Sequence, residues 1–407
     1  MTTQQKRRRL KVGIIAPCPP PYGGITRIIE NHLALWPKDE VEAHFVPMFP
    51  PADARPFDGA EFHRLAAEGR QSWRGPGTYA SVIARAPLSR PKTYFHFLRY
   101  NRGLSALVQR EKLDIIYAHE TWPAGASAVL QSRMNSMASV VAVYGEAHAT
   151  TPEHARWKRA GRMVCRSADW IISSSEHCMS GARGLGAPAQ RTSVIYAGID
   201  NRRFRPGLDG RGWRARNGVP QEAIVISVLG LVLRRKLDTF LEAVARINPA
   251  GGIFCLIGGR GEDEEYVRTR LAGLAQPKVR MLGFVPENEL PEFYAATDVL
   301  VVSPRTLLEC MGQSMKEAMA CGTAVAGARI GGIPEAIEDG KNGLLYEPDN
   351  AADLARVLSA LASDAESRRR MGAAGRSTAE SRFDARVSAA QTLEVFRQAI
   401  EFRSASL

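Results

Sequence analysis

The chain lacks several common signatures, and each absence narrows what it can be. Its six cysteines, at 18, 165, 178, 255, 310 and 321, form no C-x-x-C pair and have no histidines clustered near them. That argues against a disulfide framework and against zinc, and it suits a reducing cytoplasm. No apolar run approaches the ~20 residues that span a bilayer. The start MTTQQKRRRLKVGIIAPCPPP mimics a signal peptide. Its apolar stretch is short and runs into Pro17, Pro19, Pro20 and Pro21, so it reads as a first strand and loop. The G-x-G-x-x-G fingerprint is absent. Pro20-Pro21-Tyr22-Gly23-Gly24-Ile25 has the wrong spacing, and Ile257-Gly258-Gly259-Arg260-Gly261 has Glu264 where the third glycine belongs. A nicotinamide or flavin site is therefore disfavoured. There is no D-x-D, which fits a site built on side-chain cations and helix dipoles rather than on Mg2+ or Mn2+.

Acidic residues are scarce in the first half. Residues 1–206 hold 29 of the 54 Lys and Arg but only 16 of the 42 Asp and Glu, an excess of 13 that exceeds the whole chain's +12. Five of the six tryptophans lie there too. A one-sided basic field suits an acidic partner: an anionic membrane surface, a phosphorylated acceptor or nucleic acid. Nucleic acid is the weakest of these, because no zinc finger, RRM or other nucleic-acid signature is present.

What remains is an ordinary globular composition, 45% hydrophobic and 24% charged over 407 residues, long enough for two or three domains. Short apolar runs alternate with helical patterns, as in parallel sheets covered by helices. The runs at 11–17, 43–48, 113–119, 139–145, 169–175 and 191–198 predict a first sheet. Those at 223–230, 252–259, 279–284, 298–304 and 323–328 predict a second. Residues 50–100 are least regular and read as a loop with a short helix, rich in Arg and aromatics. Residues 384–404 carry apolar positions at helical spacing.

The densest pattern is ECMGQSMKEAMACG, Glu309 to Gly322. Glu309 and Glu317 stand eight positions apart, across a small-residue loop and a helix start that follow the strand ATDVLVVSP. Free N–H groups and the positive end of the helix dipole at Gly312, Gln313 and Ser314 make an anion site. Glu317, on the face of Gln313, can accept two hydrogen bonds from a diol such as a ribose. Solvated glutamates on an amphipathic helix are the plainer alternative. Three further runs follow: Cys321-Gly322-Thr323-Ala324-Val325, Gly331-Gly332-Ile333-Pro334-Glu335 and Asp339-Gly340-Lys341-Asn342-Gly343-Leu344-Leu345.

With these runs the chain resembles the retaining GT-B-fold glycosyltransferases of family 4, which carry E-x7-E, a CGTPV-like strand, a GGIPE turn and a DGxNGLL hairpin. The resemblance covers nearly the whole chain and is strongest from about 190 to 350. It implies an α/β fold of two Rossmann-like domains facing a central cleft. Residues 1–206 would form the acceptor-side domain and 207–385 the donor domain, with a last helix, 386–407, crossing back to the first domain. It implies a donor site from Gly23, Gly24, Gly230, Arg235, Lys236, Val285, Gly312, Gln313, Ser314 and Glu317. Glu309 would sit beside the donor sugar, with no metal or cofactor needed. Two departures matter. Leu231 stands where the family has Arg after Gly230, leaving Arg235 or Lys236 to take the Lys role. Tyr144 stands where a His precedes Gly145, so the assisting group is Tyr144, His119 or His148. Ala197-Gly198-Ile199-Asp200 with Phe204 and Pro206 would shape the hinge.

The expected activity is transfer of a sugar from a nucleotide-diphosphate sugar to a hydroxyl acceptor, in glycolipid or cell-surface polysaccharide synthesis. The expected location is the cytoplasm, peripheral on the inner face of the membrane. A nucleotide-sugar epimerase on a related fold and a non-catalytic GT-B-like partner protein are the competing readings.

Overall fold

The computed structural model describes residues 8–16, 23–48, 56–65, 91–149, 152–230, 232–247, 252–273 and 278–406. Pro20, Pro21, Tyr22, Leu231 and the stretches 49–55 and 66–90 lie outside these, as do the side chains of Arg234 and Arg235. The chain divides into two compact units, one of residues 1–198 with 385–407, the other of 199–384.

The first unit holds a seven-stranded sheet in the order β3-β2-β1-β4-β5-β6-β7. Its strands are β1 (Leu10–Ile15), β2 (Val41–Phe45), β3 (Glu61–Phe62), β4 (Ile115–His119), β5 (Ala138–Val143), β6 (Trp170–Ser173) and β7 (Thr192–Val194). Every pairing is parallel. Parallel strands are buried on both faces, which is why β4 and β5 read as unbroken apolar runs rather than alternating ones. One face packs against the helix Gly24–Leu35 and the last helix, Ala385–Ala405. Trp36 donates its indole N–H to the Ala389 carbonyl at 3.2 Å, and the Phe396 ring meets both Trp36 and Tyr117. The other face packs against Pro91–Glu111, Ala126–Asn135, Pro152–Ser167 and Glu176–Gly184. The irregular stretch predicted at 50–100 runs into the start of the helix Pro91–Glu111, and the short helix expected within it is not tested, because 49–55 and 66–90 lie outside the described residues.

The second unit holds a six-stranded parallel sheet in the order β10-β9-β8-β11-β12-β13. Its strands are β8 (Ile224–Leu229), β9 (Ile253–Gly258), β10 (Lys278–Gly283), β11 (Val299–Val302), β12 (Ala324–Ala328) and β13 (Leu344–Tyr346). The segment expected as a DGxNGLL hairpin is not one. Gly340 turns the chain at a φ of 79°, its N–H meets the Gly343 carbonyl, and β13 then runs parallel to β12 as an edge strand. The loop-forming Asp-Gly was legible, but the strand's partner was not.

One device recurs in both sheets. Asp114, Asp169 and Asp298 each precede a strand and accept a backbone N–H from the start of its neighbour: Lys11, Ser139 and Val225, each at 2.8 Å. These carboxylates clip the N-terminal ends of the strands together. The loops at the C-terminal ends, where open α/β sheets place ligands, stay available for chemistry.

Candidate active site

In the second unit the site grows from strand ends. β11 stops at Val302, and residues 303–312 form a loop before the helix Gln313–Cys321. Gly312, at a φ of 75°, starts that helix in a conformation that disfavours side chains, and no side chain caps it. Glu309 lies in the loop. Its position is set by the Gly331–Gly332 turn: the Gly332 N–H donates to the Glu309 carbonyl at 3.2 Å, and a Cβ on Gly331 would collide with the same oxygen. The E-x7-E and GGIPE runs therefore form one packed unit.

Arg235 and Lys236, either of which was expected to take the Lys role, lie with Arg234 in the first turn of the helix Arg234–Val244, which has no side-chain cap and no acidic residue in that turn. Cations at a helix N-terminus oppose the dipole by roughly 0.3–1 kcal/mol each. The arrangement is compensated from outside. Glu309 Oε2 lies 3.2 Å from Lys236 Nζ, with side chains 18% and 30% exposed. Glu309 Oε1 lies 3.9 Å from where a Gly312 Cβ would be. One carboxylate thus stands between two uncapped helix starts. Elsewhere in the chain the helices beginning at Glu176, Gly210, Ala351 and Ala365 are capped by Ser175, Asp209, Asn350 and Asp364.

Gln313, at the helix start, has both amide atoms buried and without a hydrogen-bond partner, a costly state for a polar group. Ser314 follows it, half-buried. Glu317 is 4% exposed and accepts the Tyr294 hydroxyl at 2.7 Å. Tyr294 in turn packs against Phe204 of the expected hinge segment. Lys316 is also buried, its ammonium 5.5 Å from the Phe383 ring centroid. Burial pulls its amine down to about 7, against the opposing pull of Glu317, Cys310 and Glu309. Neither Tyr294 nor Lys316 was anticipated. The adjacent Lys-Glu in SMKEAMA was the available signal, but a helix turn usually puts such a pair in solvent.

The glycines after β8 and β9 have structural work of their own. Gly230 and Gly259 adopt φ values of 147° and 127°, and a side chain on Gly259 would strike the Gly230 carbonyl. Val285 is buried beside them, its Cγ2 3.0 Å from a hypothetical Cβ on Gly258. The acidic run after Gly261 is explained locally, since Glu264 accepts the Gly261 N–H at 3.1 Å.

In the first unit, Gly23 and Gly24 are exposed and start the helix Gly24–Leu35, which has no side-chain cap. Gly23 is extended, and a Cβ there would meet nothing within 4 Å, so packing does not demand glycine. His119 ends β4 fully buried. Its Nδ1 lies 2.8 Å from the Tyr144 hydroxyl, the rings are nearly parallel, and Nε2 is buried without a hydrogen-bond partner. Burial, with His32 adding to it, lowers the His119 imidazole to about 3, so it stays neutral near pH 7. His148 stacks on His177 at 4.0 Å and bonds that residue's carbonyl. A carboxyl pair stands beside His119 and Tyr144. Glu146 accepts the N–H groups of Thr121 and Tyr144, yet burial, with Glu120 nearby, raises it to about 7. Burial raises Glu120 to about 7 as well. Neither carboxyl lies in a motif that marks it in the sequence.

Two parallel-sheet α/β units with this strand order and this loop arrangement define a GT-B glycosyltransferase fold. A model of Glycosyl transferases group 1 matches residues 211–378, and one of Glycosyltransferase Family 4 matches residues 22–203. The chain belongs to the GT-B glycosyltransferases of family 4. It is 31% identical over 284 residues, 64% of each chain, to a D-inositol 3-phosphate glycosyltransferase of Thermobifida fusca. Matches to the first such curated relatives span 58% to 64% of their length. Among solved structures it superposes on Anabaena HepE in complex with UDP-glucose, with a TM-score of 0.76 at 20% identity, covering 95% of this chain and 100% of that one. Sucrose-phosphate synthase of Thermosynechococcus elongatus gives 0.76 at 21% identity, covering 97% and 100%. No helix among the described residues is long and apolar enough to cross a membrane.

Proposed function

We propose that the chain is a retaining glycosyltransferase that uses a nucleotide-diphosphate sugar. The single observation that carries this reading is the Lys236–Glu309 pair set between two uncapped helix N-termini. Such a place favours a diphosphate, which Lys236, Arg235 and the N–H groups near Gln313 would neutralise as it departs. Gln313's unpartnered amide would bond the donor, and Glu317, oriented by Tyr294, would hold the ribose. Glu309 would orient the sugar and balance positive charge at its anomeric carbon.

In the reaction the acceptor oxygen bonds to the anomeric carbon, and the bond from that carbon to the phosphate oxygen breaks. The diphosphate leaves with the electron pair, and the acceptor proton passes to its departing oxygen. Attack on the face that the diphosphate leaves retains the configuration. On the first unit, the His119–Tyr144 pair would orient the acceptor hydroxyl, with Gly23 and Gly24 offering N–H groups to phosphate. The transfer step needs no metal: cations and helix dipoles supply the charge stabilisation.

The acceptor is proposed to be anionic, matching the basic first half: a lipid-linked or polysaccharide acceptor in glycolipid or cell-surface polysaccharide synthesis, met on the cytoplasmic face of a membrane. The Thermobifida relative's name adds a phosphorylated polyol to the panel to be assayed. The test is thermal-shift binding of UDP, GDP and ADP in EDTA, followed by turnover of the matching nucleotide sugars with each acceptor class. One nucleoside diphosphate should stabilise the protein in EDTA, and its sugar should be transferred to an acceptor. Binding without turnover with any acceptor would favour the non-catalytic partner, and conversion of the donor sugar without acceptor the epimerase.

A further inference from the structure

The first sheet carries a second group of chemically able side chains on its free edge, in β2 and β3 and the residue after β3. His44 is fully buried near the end of β2, and His63 is 8% exposed just past β3. Their ring nitrogens converge, His44 Nδ1 lying 3.0 Å from His63 Nε2. Glu61 completes the group. One of its oxygens is 3.7 Å from His44 Nδ1 and the other 3.7 Å from His63 Nε2. At those distances the carboxylate approaches both rings but hydrogen-bonds to neither. Ligand atoms from all three residues lie within 4.8 Å of one another.

The tautomer of His44 is set from behind. Its Nε2 lies 3.1 Å from Glu42 Oε1, so Nε2 carries the proton and Nδ1 turns a lone pair toward His63 and Glu61. Glu42 is itself held by Lys11 at 2.9 Å and Arg9 at 2.6 Å. A carboxylate behind an imidazole whose other nitrogen faces an open site is the usual support of a metal-binding histidine.

We propose that His44, His63 and Glu61 bind one divalent transition-metal ion of the zinc class, with water in the fourth position. Two imidazoles and a carboxylate are a zinc donor set. Bonds of about 2.0–2.1 Å to a tetrahedral ion place ligand atoms roughly 3.3 Å apart. The 3.0 Å nitrogen separation needs to widen by only a few tenths of an ångström, and the exposed Glu61 side chain would turn to bring one oxygen to the ion, its ligand atom already lying within 4.8 Å of both nitrogens. On binding, the proton on His63 Nε2 is given up and Nδ1 carries the ring N–H, while Glu61 binds as the carboxylate. The ion has a structural task. β3 is two residues long and pairs with β2 in the register His44↔Glu61 and Phe45↔Phe62, too little to hold an edge strand unaided. The ion would staple residues 61–63 to the sheet. This site is separate from the proposed donor site, whose chemistry involves none of its residues.

The test is calorimetric titration of Zn2+ into the tag-free, metal-stripped full chain, with Co2+ absorption as a second reading and far-UV circular dichroism as the folding control. The wild type should bind one equivalent of Zn2+, melt higher when loaded, and give the visible bands of tetrahedral Co2+. Glu61→Gln changes an exposed side chain and should weaken Zn2+ at least tenfold while the fold persists. His63→Ala should weaken it at least a hundredfold, and Glu42→Gln, behind His44, by ten- to a hundredfold. The proposal is overturned if the wild type binds no stoichiometric Zn2+, or if folded Glu61→Gln and His63→Ala bind it as the wild type does.

Discussion

Replacing Lys236 should weaken nucleotide binding, and replacing Glu309, its partner, should not. In the free protein the two groups sit 3.2 Å apart. At an effective dielectric of ~20 that separation gives about 5 kcal/mol of Coulomb energy. Both side chains are partly exposed, so water screens most of it, and about 1 kcal/mol is the expected net stabilisation. Lys236→Ala should therefore cost about 1 kcal/mol of folding stability. It also removes a charge-assisted contact to the diphosphate worth about 1.5–3 kcal/mol, or roughly 10- to 150-fold in Kd. Glu309→Gln breaks the same pair, so it should cost similar stability, but it leaves Lys236 unneutralised between two helix starts. The nucleoside diphosphate should then bind as tightly as to the wild type or more tightly, while kcat falls sharply. Isothermal titration of the nucleotide found in the panel, with urea unfolding of each variant, measures both quantities. If Glu309→Gln weakens binding as much as Lys236→Ala, the carboxylate contacts the nucleoside diphosphate itself and the neutralisation argument is refuted.

Three other substitutions probe the supports. Tyr294→Phe takes a hydroxyl from buried Glu317 and should cost about 2 kcal/mol in urea unfolding, with weaker nucleotide binding; unchanged affinity would remove Glu317 from the ribose site. Gly331→Ala puts a side chain at a φ of 63° against the Glu309 carbonyl, and should cost at least about 2 kcal/mol and lower kcat, read by melting and turnover. Glu146 is raised in the folded state from the ordinary 4.5 to about 7, so the folded protein holds the extra proton between those values and loses stability as pH rises through them. Glu146→Gln removes that loss. Its stability relative to wild type should climb by up to about 1.4 kcal/mol per pH unit from roughly pH 4.5 to 7, and a flat difference across that window would show that the carboxyl is not raised.

Much of the fold was legible because parallel strands buried on both faces write themselves as apolar runs, as Ile-rich β4 and Val-rich β11 do. The failures have physical causes. β3, two residues long, has no periodicity to detect, and β13 was hidden inside a turn motif. The cations at 234–236 begin a helix, and what offsets Lys236 there, Glu309, comes from 73 residues away. The motifs marked the segments of the candidate site but not its supports. Tyr294 lies outside every motif, and Glu120 and Glu146 meet only because β4 and β5 are neighbours. His44 and His63, 19 positions apart, match no metal-ligand spacing and converge only through the β2–β3 pairing.

The central claim is that the chain breaks the bond between sugar and diphosphate on the face from which the acceptor attacks. Real-time proton NMR of the nucleotide sugar, incubated with the enzyme and an accepted hydroxyl compound, reads that bond directly. Release of the nucleoside diphosphate should keep step with a new glycosidic signal that has the donor's anomeric configuration. A product of inverted configuration, or a donor left intact with every acceptor class, would contradict it.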